Sequence, residues 1–353
     1  MSVPEPLRAL LTAAGPSGYE TAPAAAFAEI GRSFTDDVSV DVMGSVVARV
    51  PGTADGAPLL AVVGHIDEIG LIVTHVDDEG FAWFTGVGGW DPQVLIGQRV
   101  DVLARDGVVH GVVGRKAIHL LREEERKKVP ELRDLHIDVG AADGEAARAQ
   151  VRVGDVAVIS AAPVDVLGGR AVSRAMDNRL GAFIALETAR RVAEAGGAPG
   201  AVAAVGVVQE EITFGGARTS AFALEPDLAI VVDVTHATDV PGVDVKTEGK
   251  HGLGGGAVIG RGSILHPAIF EGLHDAAEAE GIPFSVEASA GRSGTDADAV
   301  HFSGAGVPCG LVSIALRYMH SPVEMVELAD IDVCARLIAA FAAGLGPDTA
   351  FAR

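Results

Sequence analysis

PLLAVVG, residues 58–64, is an unbroken apolar run that gives way at once to His65, Ile66, Asp67 and Glu68. A run without polar alternation predicts a strand buried on both faces, as in a parallel sheet covered by helices. The same texture recurs outward from it in AVAAVGVVQ (201–209), DLAIVVDV (227–234) and CGLVSIAL (309–316). Shorter strands are predicted at DVSVDV (37–42), SVVARV (45–50) and FSVEA (284–288). Between them lie segments with helical spacing at 19–32, 177–196, 215–224, 267–280 and 327–344. In the long helix 177–196, Ala182, Ala185, Leu186, Ala189 and Ala193 share one face, and after Arg179 no charge appears until Glu187. Its first turns are therefore predicted to be buried all round. Strands alternating with helices predict an α/β fold, a mostly parallel sheet with helices on both faces.

The pattern breaks between 68 and 165. LIVTHV, FAWFTGV, QRVDVLA, VVHGVVG and DVAVIS are short runs punctuated by Gly and Asp, which predict a small antiparallel barrel or sandwich. Two domains suit a chain of 353 residues: a discontinuous one at 1–67 and 166–353, and an inserted β-rich one at 68–165. Within the insert, HLLREEERKKVPEL (119–132) is a charge run without an apolar face, read as a solvated loop or an interface or pore-lining segment.

Composition narrows the function classes. Lys and Arg number 27 against 48 Asp and Glu, a net charge of −21, which repels phosphate backbones and anionic lipid. Nucleic-acid and membrane partners are therefore not expected. The two cysteines, Cys309 and Cys334, lie in no metal-binding or disulfide pattern and read as buried thiols in a reducing compartment. No apolar run reaches the ~20 residues a bilayer requires, and MSVPEPLRALLTAAGPSGYE has no secretory pattern. A soluble, cytoplasmic protein is predicted.

In open α/β sheets, ligands gather beyond the carboxyl ends of the strands. There the predicted strands deliver His65, Asp67 and Glu68, then Glu210 and Glu211, then Asp233, with His320 shortly after the last. Asp177 stands at the start of the long helix, where it also suits the helix dipole. Each residue alone has an ordinary reading: a helix cap, a wet loop, a structural histidine. Apolar strands that all end in His or carboxylate point instead to a shared cation. The number of ligands suggests two ions, and imidazole with carboxylate and no thiolate suits Zn²⁺ first, then Co²⁺ or Mn²⁺. If one carboxylate bridges, three ligating carboxylates and a hydroxide neutralise two divalent ions and leave one Glu free to move protons. Two ions ~3.5–4 Å apart are a known hydrolytic arrangement.

GHIDEIG (64–70), SRAMDNRLG (173–181), VQEE (208–211), DVTHATDVPG (233–242), GTDAD (294–298) and RYMHSPVE (317–324) occur in order along nearly the whole chain. This series resembles the dinuclear metallo-aminopeptidases that form tetrahedral particles, the TET and glutamyl aminopeptidases, whose members are often labelled endoglucanase. The resemblance implies a catalytic metallopeptidase domain interrupted by a dimerisation domain, of which GGWDPQVLIGQRV (88–100) is typical. It implies that Asp177 bridges two metals, that His65 and Asp233 complete one site, and that Glu211 and His320 complete the other. Glu210 would be the general base and acid, and Asp67 would orient His65. It further implies short peptides with a free N-terminus as substrates and a homododecamer of six dimers.

The chain departs from that pattern at Asn178, where an acid is common, and at ITFGGA (212–217) after the paired Glu. Neither departure removes a ligand. GLGGG (252–256) lacks the strand–glycine–helix setting of a dinucleotide site and reads as a turn. Ser293 and Ser303 near His301 have no nucleophile elbow. Two other readings stand beside the aminopeptidase: a related metal-dependent amide hydrolase, such as a deacylase or carboxypeptidase, and a metal-loaded shell without activity.

Overall fold

A computed structural model describes residues 2–351, which divide into two compact units. The first comprises residues up to Asp67, Pro163–Met319 and from Val323 onward; the second comprises Glu68–Ala162 and His320–Pro322.

The first unit is built on an eight-stranded sheet. Its spatial order is Val38–Val40, Val46–Val50, Val202–Val207, Leu60–His65, Leu228–His236, Cys309–Leu316, Ala257–Gly262, Phe284–Ser289. The four central strands, from Val202–Val207 to Cys309–Leu316, are mutually parallel. Antiparallel pairings appear only toward the edges, where Val46–Val50 meets Val202–Val207 and Ala257–Gly262 meets Cys309–Leu316. The apolar run at 58–64 yields a strand buried at every position from Leu60 to His65. Strand periodicity divides it between two cores. Leu60 and Val62 pack with Val202, Ala204, Ile230 and Ile314, under the helices Glu5–Thr12, Thr21–Arg32, Met176–Glu194, Pro267–Glu280 and Leu328–Ala343. Ala61 and Val63 pack with Ala203, Val205, Val231 and Leu311, under Gly215–Leu224 and Ala297–Val300. The mostly parallel sheet with helices on both faces is thus the predicted architecture.

The Met176–Glu194 helix is buried on all sides from Met176 through Leu186, about three turns, as the charge-free run before Glu187 predicts. Helix Glu5–Thr12, strands Arg170–Ser173 and Ala257–Gly262, and the short strand Glu324–Glu327 were not legible as elements in the sequence. GLGGG forms the predicted turn, held by Asp330, whose two carboxylate oxygens accept the backbone N–H of Gly254 (2.7 Å) and Gly256 (3.0 Å).

The second unit is a closed six-stranded antiparallel barrel of Gly70–Val76, Phe81–Val87, Arg99–Ala104, Gly107–Gly114, His136–Asp138 and Val156–Ile159. Leu71, Val73, Phe84, Val100, Val102 and Ile137 fill it. The charge run 119–132 is mostly exposed but is not wholly loop. Glu123–Arg126 forms one helical turn, closed where Arg122 N–H donates to Glu125 Oε2 (2.6 Å).

Candidate active site

Close backbone approach positions the site. Gly64, next to last in its strand, lies against Gly181 of the long helix: a Cβ on Gly64 would stand 2.4 Å from the Gly181 carbonyl carbon. A Cβ on Gly181 would meet the Val232 carbonyl oxygen, also at 2.4 Å. Only glycines let the start of this helix settle onto the ends of the strands carrying His65 and Asp233. Asp177 is not the helix cap its position suggests. With Asn178 it breaks helical geometry at the first turn, their peptide bond is cis, and Ala175 before them is left-handed at φ 59°. The backbone N–H of Asp177 donates to Glu324 Oε2 (3.1 Å), and its Oδ1 lies 3.2 Å from His65 Nε2.

Asn178 has a use that an ionised acid could not serve. Its Nδ2 donates to the Val232 carbonyl (2.8 Å) while its Oδ1 accepts the Gly181 N–H (2.8 Å). The departure from the family pattern therefore ties the helix start to the Asp233 strand.

His65 is 1% exposed. Its Nδ1 lies 3.3 Å from both the carbonyl and the carboxylate Oδ1 of Asp67, two acceptors for an Nδ1 proton. Its Nε2 faces Asp177 Oδ1 at 3.2 Å and Glu210 Oε2 at 3.7 Å, the side from which it could meet a cation. Asp67, fully buried, is itself fixed: it accepts Ser17 Oγ–H (2.5 Å) and the backbone N–H groups of Glu210 and Glu211 (3.1 Å each). One carboxylate thus contacts the His65 ring and anchors the loop carrying both glutamates. That loop leaves its strand through Gln209, left-handed at φ 60°, whose N–H donates to Glu20 Oε1 (3.0 Å).

The structure brings His65, Asp177 and Asp233 together, with one ligand atom from each lying mutually within 4.8 Å, and does the same for His65, Glu210 and Glu211. His320 belongs to the second unit, where its Nδ1–H donates to the Gly89 carbonyl (2.9 Å); its backbone is left-handed at φ 58°.

Electrostatics describe a site charged beyond comfort. Burial, then the charges of Asp233, Asp296 and Glu211, push Glu210 up to about 10 against the opposing pull of His65. Burial, with Asp177 and Asp296, holds Asp233 well above the usual carboxylate range. Burial would lower His65, but Glu210, Asp177 and Asp67 outweigh it and hold it well above an ordinary histidine. Asp67 moves the other way: hydrogen bonds from His65, Ser17 and Glu210 N–H overcome the effect of burial and keep it low. Packed carboxylates with raised proton affinity, around an imidazole that gives up its extra proton when a cation replaces it, are a donor set suited to divalent cations.

Sequence reasoning did not single out Ser17, Glu324 or Asp296. Ser17 and Glu324 act through contacts between distant segments. Asp296 lay in the quoted motif GTDAD without a role, yet it is fully buried, and burial pushes it up to about 7 despite the pull of His65.

Known proteins resemble this chain along nearly its whole length. The chain is 31% identical to the lysyl aminopeptidase of Pyrococcus furiosus over 347 residues, covering 97% of each protein. The fold matches the TET aminopeptidase of a marine-sediment Thaumarchaeota archaeon with a TM-score of 0.91, at 36% identity, over 97% of this chain and 96% of that one. It matches the TET1 peptidase of Pyrococcus horikoshii, which can assemble into a tetrahedron or a large octahedral shell, with a TM-score of 0.84 at 29% identity, over 97% and 99% of the two chains. Residues 44–337 match the M42 glutamyl aminopeptidase family, and the chain belongs to that family of peptide-bond hydrolases.

Proposed function

We propose that this chain is a two-metal aminopeptidase that removes the N-terminal residue from short peptides. The observation that carries the reading is the convergence of buried His65, Asp177, Glu210 and Asp233, with Glu211, on the carboxyl ends of parallel strands. In this reading His65, Asp177 and Asp233 hold one ion, Asp177, Glu211 and His320 hold the other, and Asp177 is shared. The donor set favours Zn²⁺, with Co²⁺ or Mn²⁺ next. When bound, such ions supply Lewis acidity to the scissile carbonyl and acidify water. Glu210, with its raised proton affinity, takes the proton of the attacking water and returns it to the leaving amine. Asp67 holds the Nδ1 proton of His65 and so keeps Nε2 basic toward the centre. The remaining acids favour a substrate that brings a free ammonium group.

The assembly belongs to the same proposal. The barrel unit, the proposed dimerisation domain at 68–165, joins two chains, and six dimers enclose a hollow dodecamer that admits short unfolded peptides; closed symmetric assemblies are the rule for such modules. The charge run 119–132 then faces the interior. Two free, buried thiols and the acidic surface suit the cytoplasm. Among the described residues, no helix is long and apolar enough to cross a membrane.

The deciding experiment offers aminoacyl chromogenic substrates and their N-acetylated forms to protein loaded with Zn²⁺, Co²⁺ or Mn²⁺. Light scattering is measured on the same samples. Cleavage confined to free amines is expected, from a particle of about twelve chains. Equal cleavage of acetylated substrates would turn the reading to a deacylase. Full activity from a monodisperse monomer would remove the particle and leave the chemistry.

A further inference from the structure

The GTDAD segment, 294–298, contains three polar side chains, and two of them have evident structural work. Asp298 closes the turn by accepting Ser293 N–H and Oγ–H on Oδ1 (2.8 Å each) and Gly294 N–H on Oδ2 (3.1 Å). Thr295 Oγ1 accepts the Ala297 N–H (3.2 Å) and shares a hydrogen bond with Ser293 Oγ (2.9 Å). Asp296 stands between them. Its carbonyl starts the short helix by accepting Ala299 and Val300 N–H (3.0 Å each), but its side chain caps nothing. Both carboxylate oxygens are buried without a hydrogen-bond partner among the described residues, and the residue is 0% exposed.

An orphaned buried carboxylate is costly unless something compensates its charge. What surrounds Asp296 makes the cost greater. Asp67 and Glu211 act on it as like charges, and it in turn is one of the charges raising Glu210 and Asp233. Without cations, every one of these pairings but that with His65 is repulsive. A dication pair among the same acids reverses the sign of the environment: an ionised Asp296 then stabilises the centre by charge without occupying a ligand position.

We propose that Asp296 is a positioning residue of the metal centre, a buried outer carboxylate whose charge raises the centre's affinity for divalent ions. The proposal rests on the two-metal reading above. It predicts effects of opposite sign in the two states of the protein. In the metal-free state, neutralising Asp296 relieves repulsion and leaves stability equal or higher. In the metal-bound state, it removes attraction.

The test is Asp296→Asn, which keeps the shape, together with Asp296→Ala, which adds no buried amide. Zn²⁺ affinity is measured by competition with a chelator, and Tm is measured on chelator-treated protein. Affinity is expected to fall ~10–100-fold, the usual consequence of losing a residue that supports metal ligands from outside. The metal-free Tm is expected to stay level or rise. Should Asp296→Asn fail to fold, Asp296→Ala carries both readouts. Wild-type affinity in a folded variant overturns the proposal. So does a metal-free Tm that falls in both variants, because that outcome marks an ordinary structural carboxylate. If wild-type protein itself binds no divalent ion, the two-metal reading has failed instead, and the two failures are told apart by that control.

Discussion

Acidic side chains do opposite things in the two units. In the barrel unit they close local structure. Asp143 caps the helix Gly144–Gln150 by accepting Ala146 N–H (2.9 Å), and Asp155 Oδ2 accepts Arg152 N–H (2.8 Å). Glu125 is lowered by the Arg122 N–H and Lys116. Each of these carboxylates is partnered within its own unit by backbone N–H groups three residues away. In the sheet unit, Asp67, Asp177, Glu210, Glu211, Asp233 and Asp296 arrive from distant parts of the chain at one edge, where burial and mutual repulsion raise Glu210, Asp233 and Asp296. A carboxylate that closes a turn contributes to stability directly. One that is desolvated among its own kind is tolerated only because a cation or a proton transfer uses it.

The largest effect that can sharpen this contrast is on turnover. Glu210→Gln keeps the size and hydrogen bonding of Glu210 but cannot accept the water's proton. A loss in kcat of ~10²–10⁴ is expected, the usual worth of general acid–base catalysis, with metal content near wild type. Near-full activity with both ions bound would return Glu210 to the set of merely electrostatic acids and break the division of labour proposed here.

The next effect is on metal content. Asp177 is proposed to touch both ions, so Asp177→Ala should lower occupancy at both sites after dialysis, whereas His65→Ala should mainly empty one. Elemental analysis distinguishes them. An Asp177→Ala protein that keeps one tightly held ion would show that the bridge lies elsewhere.

The sequence made the sheet legible because parallel strands buried on both faces leave no room for alternation, so 58–64, 201–209, 227–234 and 309–316 stand out as apolar runs. It made the chemistry legible because those runs stop at His or carboxylate. What it could not display is whatever depends on backbone conformation or on contacts between distant segments. The break at Asp177 and Asn178 looks like an ordinary helix start in sequence, and nothing in GPSGYE announces that Ser17 will reach Asp67. Left-handed Ala175, Gln209 and His320 carry no glycine to mark them, though such conformations collect at working sites. Asp296 was visible only as a letter in a motif, because its significance is the absence of a local partner, which Thr295 and Asp298 on either side do have.

The smallest effect tests whether the barrel is as independent as its carboxylates suggest. Asp77 lies at the start of the turn between strands Gly70–Val76 and Phe81–Val87. Its Oδ1 accepts Phe81 N–H and its Oδ2 accepts Trp83 Nε1–H, both at 2.8 Å. Burial would raise this carboxyl slightly, but the indole and the turn's backbone N–H groups outweigh it and hold it low, so it works in the ionised form. Asp77→Ala removes both bonds at a half-exposed position where water can replace part of each, so a cost of about 1–2 kcal/mol is expected. The measurement is unusually selective because the chain's two tryptophans, Trp83 and Trp90, both belong to the barrel unit. Urea unfolding followed by tryptophan fluorescence should show an earlier midpoint for Asp77→Ala, with kcat and metal content unchanged in native buffer. If activity or metal content declines with the fluorescence midpoint, the two units share their stability, and the separation between structural acids in one and chemical acids in the other is only topological.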